Sequence, residues 1–131
     1  MKGDVLLQNI RVMGFIPISV GKNAKETKLL IRESILTKIG KNIDNVRKRC
    51  AGKPLSISIV LSLHKESYAK KDLFVLSNTI IKLLGKSTKK DGSTGLEIIT
   101  NTKLIHRVIL EKNLINNNDK EEFTFSIYEW A

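Results

Sequence analysis

The residues best placed to do chemistry lie between His64 and Lys90. Two lysines precede an acid at the mouth of a helical pattern, Lys70-Lys71-Asp72-Leu73. A carboxylate at a helix N-terminus is held as the anion by the helix dipole. Its oxygens suit a hard divalent cation such as Mg²⁺, and the neighbouring lysines suit a phosphate. The same aspartate is equally at home as a plain helix cap with no further role. Lys86, Lys89 and Lys90 extend the basic run, and Asp91 and Glu97 are the acids nearest to it. Elsewhere the chain offers little. His64 and His106 are far apart and no cysteine cluster accompanies them, so no zinc site has the expected spacing. Neither a P-loop nor a dinucleotide fingerprint can be written, and no nucleophile elbow supports a Ser/His/Asp triad. His64 reads as a partly exposed histidine at a strand end.

The charge balance narrows the partners. The 131 residues carry 23 Lys and Arg against 13 Asp and Glu, a formal net charge of +10. An acidic polymer is the natural counterpart of such a surface, because neutralised phosphates release their condensed counterions. Aromatic residues make up only 5% of the chain, which speaks against single-strand recognition on a stacking platform. Cys50 is the one cysteine, so an internal disulfide is impossible and a reducing, cytoplasmic setting is expected. No apolar run approaches the ~20 residues of a membrane span, so no membrane partner is expected. The start, MKGDVLLQNIRV, lacks the pattern of a signal peptide.

The elements that position these residues follow from hydrophobic spacing. Val5–Met13 is apolar and β-branched enough for a strand, and Gly14, Pro17 and Gly21 then predict a loop over 14–22. Asn23 with Glu26 opens a capped helix over 24–50, with Ile31, Ile35, Ile39, Ile43 and Val46 on its apolar stripe. Gly40 weakens or breaks it. Arg47-Lys48-Arg49 suits the negative end of its dipole and adds three candidate phosphate ligands. Leu55–Leu63 alternates apolar residues with mostly serines, the pattern of a half-buried strand. Asp72 opens a second helix carrying Leu73, Leu76, Ile80, Leu83 and Leu84 on one face, closed by Gly85. Leu96–Ile99, Leu104–Leu110 and Phe123–Ile127 read as three short strands able to pair as hairpins or a meander. The expected fold is α/β of the α+β kind: one domain over 1–131, a mixed sheet and two main helices packed on one face.

From about residue 24 onward this order resembles the RusA family of Holliday-junction resolvases. The corresponding stretches are LSISIVLSL, KKDLFVLSNTIIKLLGK, ITNTKLIHRVILEK and EEFTFSIYEW, about three quarters of the chain. The resemblance implies a RusA-like fold, a homodimer, DNA recombination as the setting, four-way junctions as substrate and Mg²⁺ as cofactor. It also implies a set of acids, of which Asp72 matches the first. The second falls on Phe74, the helix lysine on Asn78, and the late acid pair on Thr100 and Asn101. Asp91 or Glu97 would have to supply a displaced ligand.

Three functions follow as expectations. The first is a DNA-binding protein on this scaffold with impaired catalysis, meeting phosphates through Lys70, Lys71, Lys86, Lys89, Lys90, Arg47, Lys48 and Arg49. The second is an active Mg²⁺-dependent junction endonuclease using Asp72 with Asp91 or Glu97. The third is a structural or assembly protein of a phage or plasmid. Cleavage separates the second from the first, and salt-sensitive DNA binding separates the first from the third.

Overall fold

The computed structural model describes residues 2–14, 24–86 and 95–130. Within them the elements are β1 (Lys2–Met13), α1 (Ala24–Ile39), α2 (Ile43–Cys50), β2 (Leu55–Leu63), α3 (Lys65–Lys70), α4 (Leu73–Leu84), β3 (Ile105–Leu114) and β4 (Glu122–Trp130). The long helix expected over 24–50 is two helices. Gly40 sits at φ +63° and opens a 3₁₀ turn, Gly40–Asn42, between them. Most L-residues avoid that conformation, so the glycine sets the break.

The four strands form one mixed sheet in the order β1-β4-β2-β3. Strand β2 lies inside the sheet, parallel to β3 and antiparallel to β4. The late strands therefore make neither a hairpin nor a meander. β3 and β4 flank β2 on opposite sides, and residues 115–121 cross its carboxyl end, where the Ile115 amide donates to the Leu63 carbonyl over 2.9 Å.

Alternation in β2 sorts the two faces. Leu55, Ile57, Ile59, Leu61 and Leu63 are at most 1% exposed and share a core with Phe123, Phe125 and Ile127 of β4. Ile31, Ile35, Val46, Leu76, Ile80 and Leu84 close that core from the helices. Burying an aliphatic side chain of this size contributes roughly 1.5–3 kcal/mol each, so this layer dominates stability. The other face carries Ser56, Ser58, Val60 and Ser62, and it aligns with Arg107, Ile109, Glu111 and Asn113 of β3. The expected layout of helices on one side of a mixed sheet describes the molecule.

One expected strand is absent. Leu96, Ile98 and Ile99 are at most 1% exposed but not extended in a sheet. The amides of Leu96, Ile98 and Ile99 donate to the carbonyls of Leu83 and Leu84 at the end of α4, over 2.8–2.9 Å. These are carbonyls that a helix terminus leaves without internal partners. The run is apolar because it plugs the core beneath that terminus. Conversely, α3 occupies a stretch that reads as a short link. No helix among the described residues is long and apolar enough to cross a membrane.

Candidate nucleic-acid interface

Asp72 is the N-cap of α4. Its Oδ1 accepts from the Phe74 amide over 2.8 Å and from the Val75 amide over 3.2 Å. Those bonds satisfy two of the four amides that a helix start leaves orphaned. Lys70 pairs with Glu66 at 3.2 Å, one turn back along α3, and Lys71 is exposed beside the cap. Phe74, at the position of the second acid in the resembled family, is 74% exposed and offers no oxygen.

Glu97 is not near this group. Its amide donates to the Gly85 carbonyl over 2.9 Å, so it sits at the far end of α4. Twelve helical residues separate the two ends by about 18 Å at 1.5 Å per residue. Asp72 and Glu97 of one chain cannot share an ion. Asn101 spends its side chain as the cap of the 3₁₀ turn Thr102–Leu104, accepting from the Lys103 amide. Among the described residues no three His, Cys, Asp or Glu side chains converge as a metal group. The described donors around Asp72 therefore do not by themselves make a set for Mg²⁺. Asp91, Lys89 and Lys90 lie outside the described residues.

The topology divides the candidate cations between the two ends of β2. Lys70 and Lys71 follow its carboxyl end, together with Lys65, Lys112 and Lys120. Glu66, Asp72, Asp119 and Glu121 share that end, as do Glu122 and the two cations that act on it, Arg11 and Lys38, so acids are interspersed among the cations there. The amino end is different. Arg47, Lys48 and Arg49 close α2, Lys53 lies in the connector to β2, Lys86 follows α4, and Lys103 lies in the turn before β3. Asp44, Glu97 and Glu129 are the nearby acids. Arg47 anchors the group: its Nε donates to the Leu96 carbonyl over 2.9 Å, and its guanidinium meets Asp44 at 3.3 Å. Lys48, Arg49, Lys86 and Lys103 are exposed. Trp130 and His106 stand at the same end in an edge-on contact, ring centroids 6.3 Å apart.

The sequence gives no hint of the polar cluster at the carboxyl end. His64 presents its backbone amide to Glu121 Oε2 at 3.0 Å, and its Nε2 lies 2.5 Å from the Asp119 carbonyl. Its Nδ1 is 4.0 Å from the Glu121 carboxylate. Both ring nitrogens thus face protein groups, and the histidine ties the 115–121 segment to the end of β2. Met13, Gly14, Lys120 and Glu121 complete a recess of about 470 Å³ around it. Nearby, Arg11 and Glu122 form a two-point ion pair across β1 and β4. That bond holds the Glu122 carboxyl below its ordinary range, against the opposing effect of its burial.

Comparison with known proteins returns no matching family model, no matching curated protein and no matching solved structure.

Proposed function

We propose that this domain binds double-stranded nucleic acid, DNA in the first instance, through the basic amino-terminal end of β2. The observation that carries this reading is the convergence of Arg47, Lys48, Arg49, Lys53, Lys86 and Lys103 from three separate chain segments onto one end of the sheet. Like charges brought together by folding repel one another, a cost that an anionic partner offsets. Long, exposed lysines on helix and turn ends suit phosphates rather than base edges, so the contacts position the duplex without reading its sequence.

Catalysis is not part of this proposal. Asp72 is committed to the start of α4 and stands beside Phe74, so no metal-assisted hydrolysis is derived from it. The resemblance to junction resolvases makes a four-way junction the first substrate to compare with linear duplex. A reducing, cytoplasmic setting accords with the single buried Cys50, whose thiol burial pushes upward in pKa and so keeps protonated.

The test is a gel-shift titration of junction and duplex DNA of equal length, with and without Mg²⁺, at several salt concentrations. Affinity is expected to fall at least ~100-fold between about 50 and 200 mM salt, as when several phosphates are neutralised. Intact DNA is expected in every Mg²⁺ lane. Absence of binding at low salt, or a flat salt response, overturns the reading and favours an assembly protein whose charge serves protein contacts.

A further inference from the structure

The two edges of the sheet are not alike. Strand β1 is protected in the usual way: its register against β4 shifts three times, and Asn9 within it adopts φ +50°. Such bulges twist an edge away from intruding strands. Strand β3 has no such device. From Arg107 to Leu114 its register against β2 runs without a shift, and it contains no proline or glycine. Among the described residues nothing pairs with its outer edge. Val108 and Leu114 on it are 42% and 59% exposed, and Tyr68, Phe74 and Val75 are exposed on α3 and α4, the helices that contact β3.

An edge of this kind is a template for another strand, and its own sequence names the partner. We infer that β3 pairs antiparallel with β3 of a second copy of this chain, about a two-fold axis at Ile109. An antiparallel two-fold across a pleated edge requires facing residues to share a face, so the axis must pass at a residue rather than between two. Six such registers have their axis in the middle of the strand, from Arg107 to Lys112. With the axis at Arg107, Glu111 or Lys112, a like charge faces itself. At Val108, Arg107 and Glu111 face Ile109 and Ile105. At Leu110 they face Asn113 and Ile109. With the axis at Ile109, Arg107 of each copy faces Glu111 of the other, Val108 faces Leu110, Ile109 faces itself, and the outer pairs are His106 with Lys112 and Ile105 with Asn113. Opposite charges and apolar pairs directly across a ladder are the contacts that stabilise sheets, and like charges there destabilise them. The result is one continuous eight-stranded sheet. Neither the bases nor the phosphates of a nucleic acid enter this argument, so it stands or falls apart from the proposed function.

The experiment uses the full chain without nucleic acid. Sedimentation equilibrium is expected to give twice the 14.8 kDa chain mass for the unmodified protein. Glu111→Arg sets arginine against arginine and is expected to return the mass to one chain with unchanged circular dichroism. Adding Arg107→Glu to it merely exchanges the two ends of each pair and is expected to restore the dimer. Ile109→Cys is expected to form a covalent dimer under oxidised glutathione, because facing residues in a ladder lie within disulfide reach. Asn113→Cys, which would face Ile105, is expected not to. A single-chain mass for the unmodified protein, a Glu111→Arg variant that stays dimeric, or equal cross-linking by both cysteine variants would each overturn the inference.

Discussion

Asp72 shows how one side chain can satisfy two readings from sequence and be decided by geometry. A carboxylate at a helix mouth is both a standard cap and a plausible metal ligand, and no spacing rule separates them. Its Oδ1 bonds to the Phe74 and Val75 amides make the cap the structural role. Asp72→Ala is therefore expected to cost about 1 kcal/mol in urea denaturation, whereas Asp72→Asn keeps an acceptor and costs a few tenths. DNA affinity of the Asn variant is expected to hold or tighten slightly, since a negative charge near Lys71 is gone. Weaker binding by that variant would place Asp72 in the interface. Glu122 carries a second prediction at this scale. The Arg11 bond lowers its folded pKa below the unfolded value. Its contribution is thus complete above the ordinary carboxylate range and lost as pH falls through the lowered folded value. Glu122→Gln is expected to be less stable than the parent at neutral pH, with the gap in melting temperature closing in acid. A gap that stays constant with pH would remove the ion pair from the account.

At the scale of elements, the legible parts are those whose signal is local. The serine alternation of β2, the Asp72 and Gly85 boundaries of α4 and the weakness at Gly40 all act within a few residues, and all are found in the structure. The order of strands is not local. That β4 inserts between β1 and β2 depends on pairing between residues 60 to 128 apart in the chain, from Ser62↔Glu122 to Lys2↔Trp130, and Phe123–Ile127 gives no sign of it. Leu96–Ile99 fails for a related reason, because an apolar β-branched run reports burial and not pairing. The site was partly legible in the same sense. The basic residues are visible in sequence, but only the topology separates Lys70 and Lys71 from Arg47, Lys48, Arg49 and Lys86. Gly40 gives the element-scale prediction. Alanine there gains up to about 1 kcal/mol of helix propensity only if the backbone is helical, and at φ +63° it is not. A Cβ would meet nothing within 4 Å, so the penalty is torsional. Gly40→Ala is expected to destabilise by roughly 1–2 kcal/mol, read as a lower denaturation midpoint at unchanged m-value. Stabilisation would mean that α1 and α2 can merge into the single helix that their sequence suggests.

For the whole molecule, the decisive quantity is where the excess charge resides. A net charge of +10 spread evenly would aid solubility and give weak, diffuse attraction to any polyanion. Charge gathered at one end gives an oriented complex, because the acids at the other end oppose the reverse docking. The two arrangements differ in how they respond to neutralisation. Lys48→Gln, Arg49→Gln and Lys86→Gln together remove three exposed cations from the amino end of β2. Lys65→Gln, Lys70→Gln and Lys71→Gln remove the same formal charge from the carboxyl end. If only net charge matters, the two triple variants bind DNA alike. If the amino end is the binding surface, the first variant is expected to lose affinity at every salt concentration. Its log–log salt slope is expected to flatten by up to about three units, one for each phosphate left without its cation. The second variant is expected to keep nearly the parent slope, since its lysines lie beyond the ~10 Å screening length from the bound phosphates. All six positions are exposed, so both variants are expected to fold, and a shared circular dichroism spectrum establishes that before binding is compared. Equal slopes in the two variants would reduce the interface to net charge, and a larger loss in the second would move it to the end of the sheet that carries Asp72.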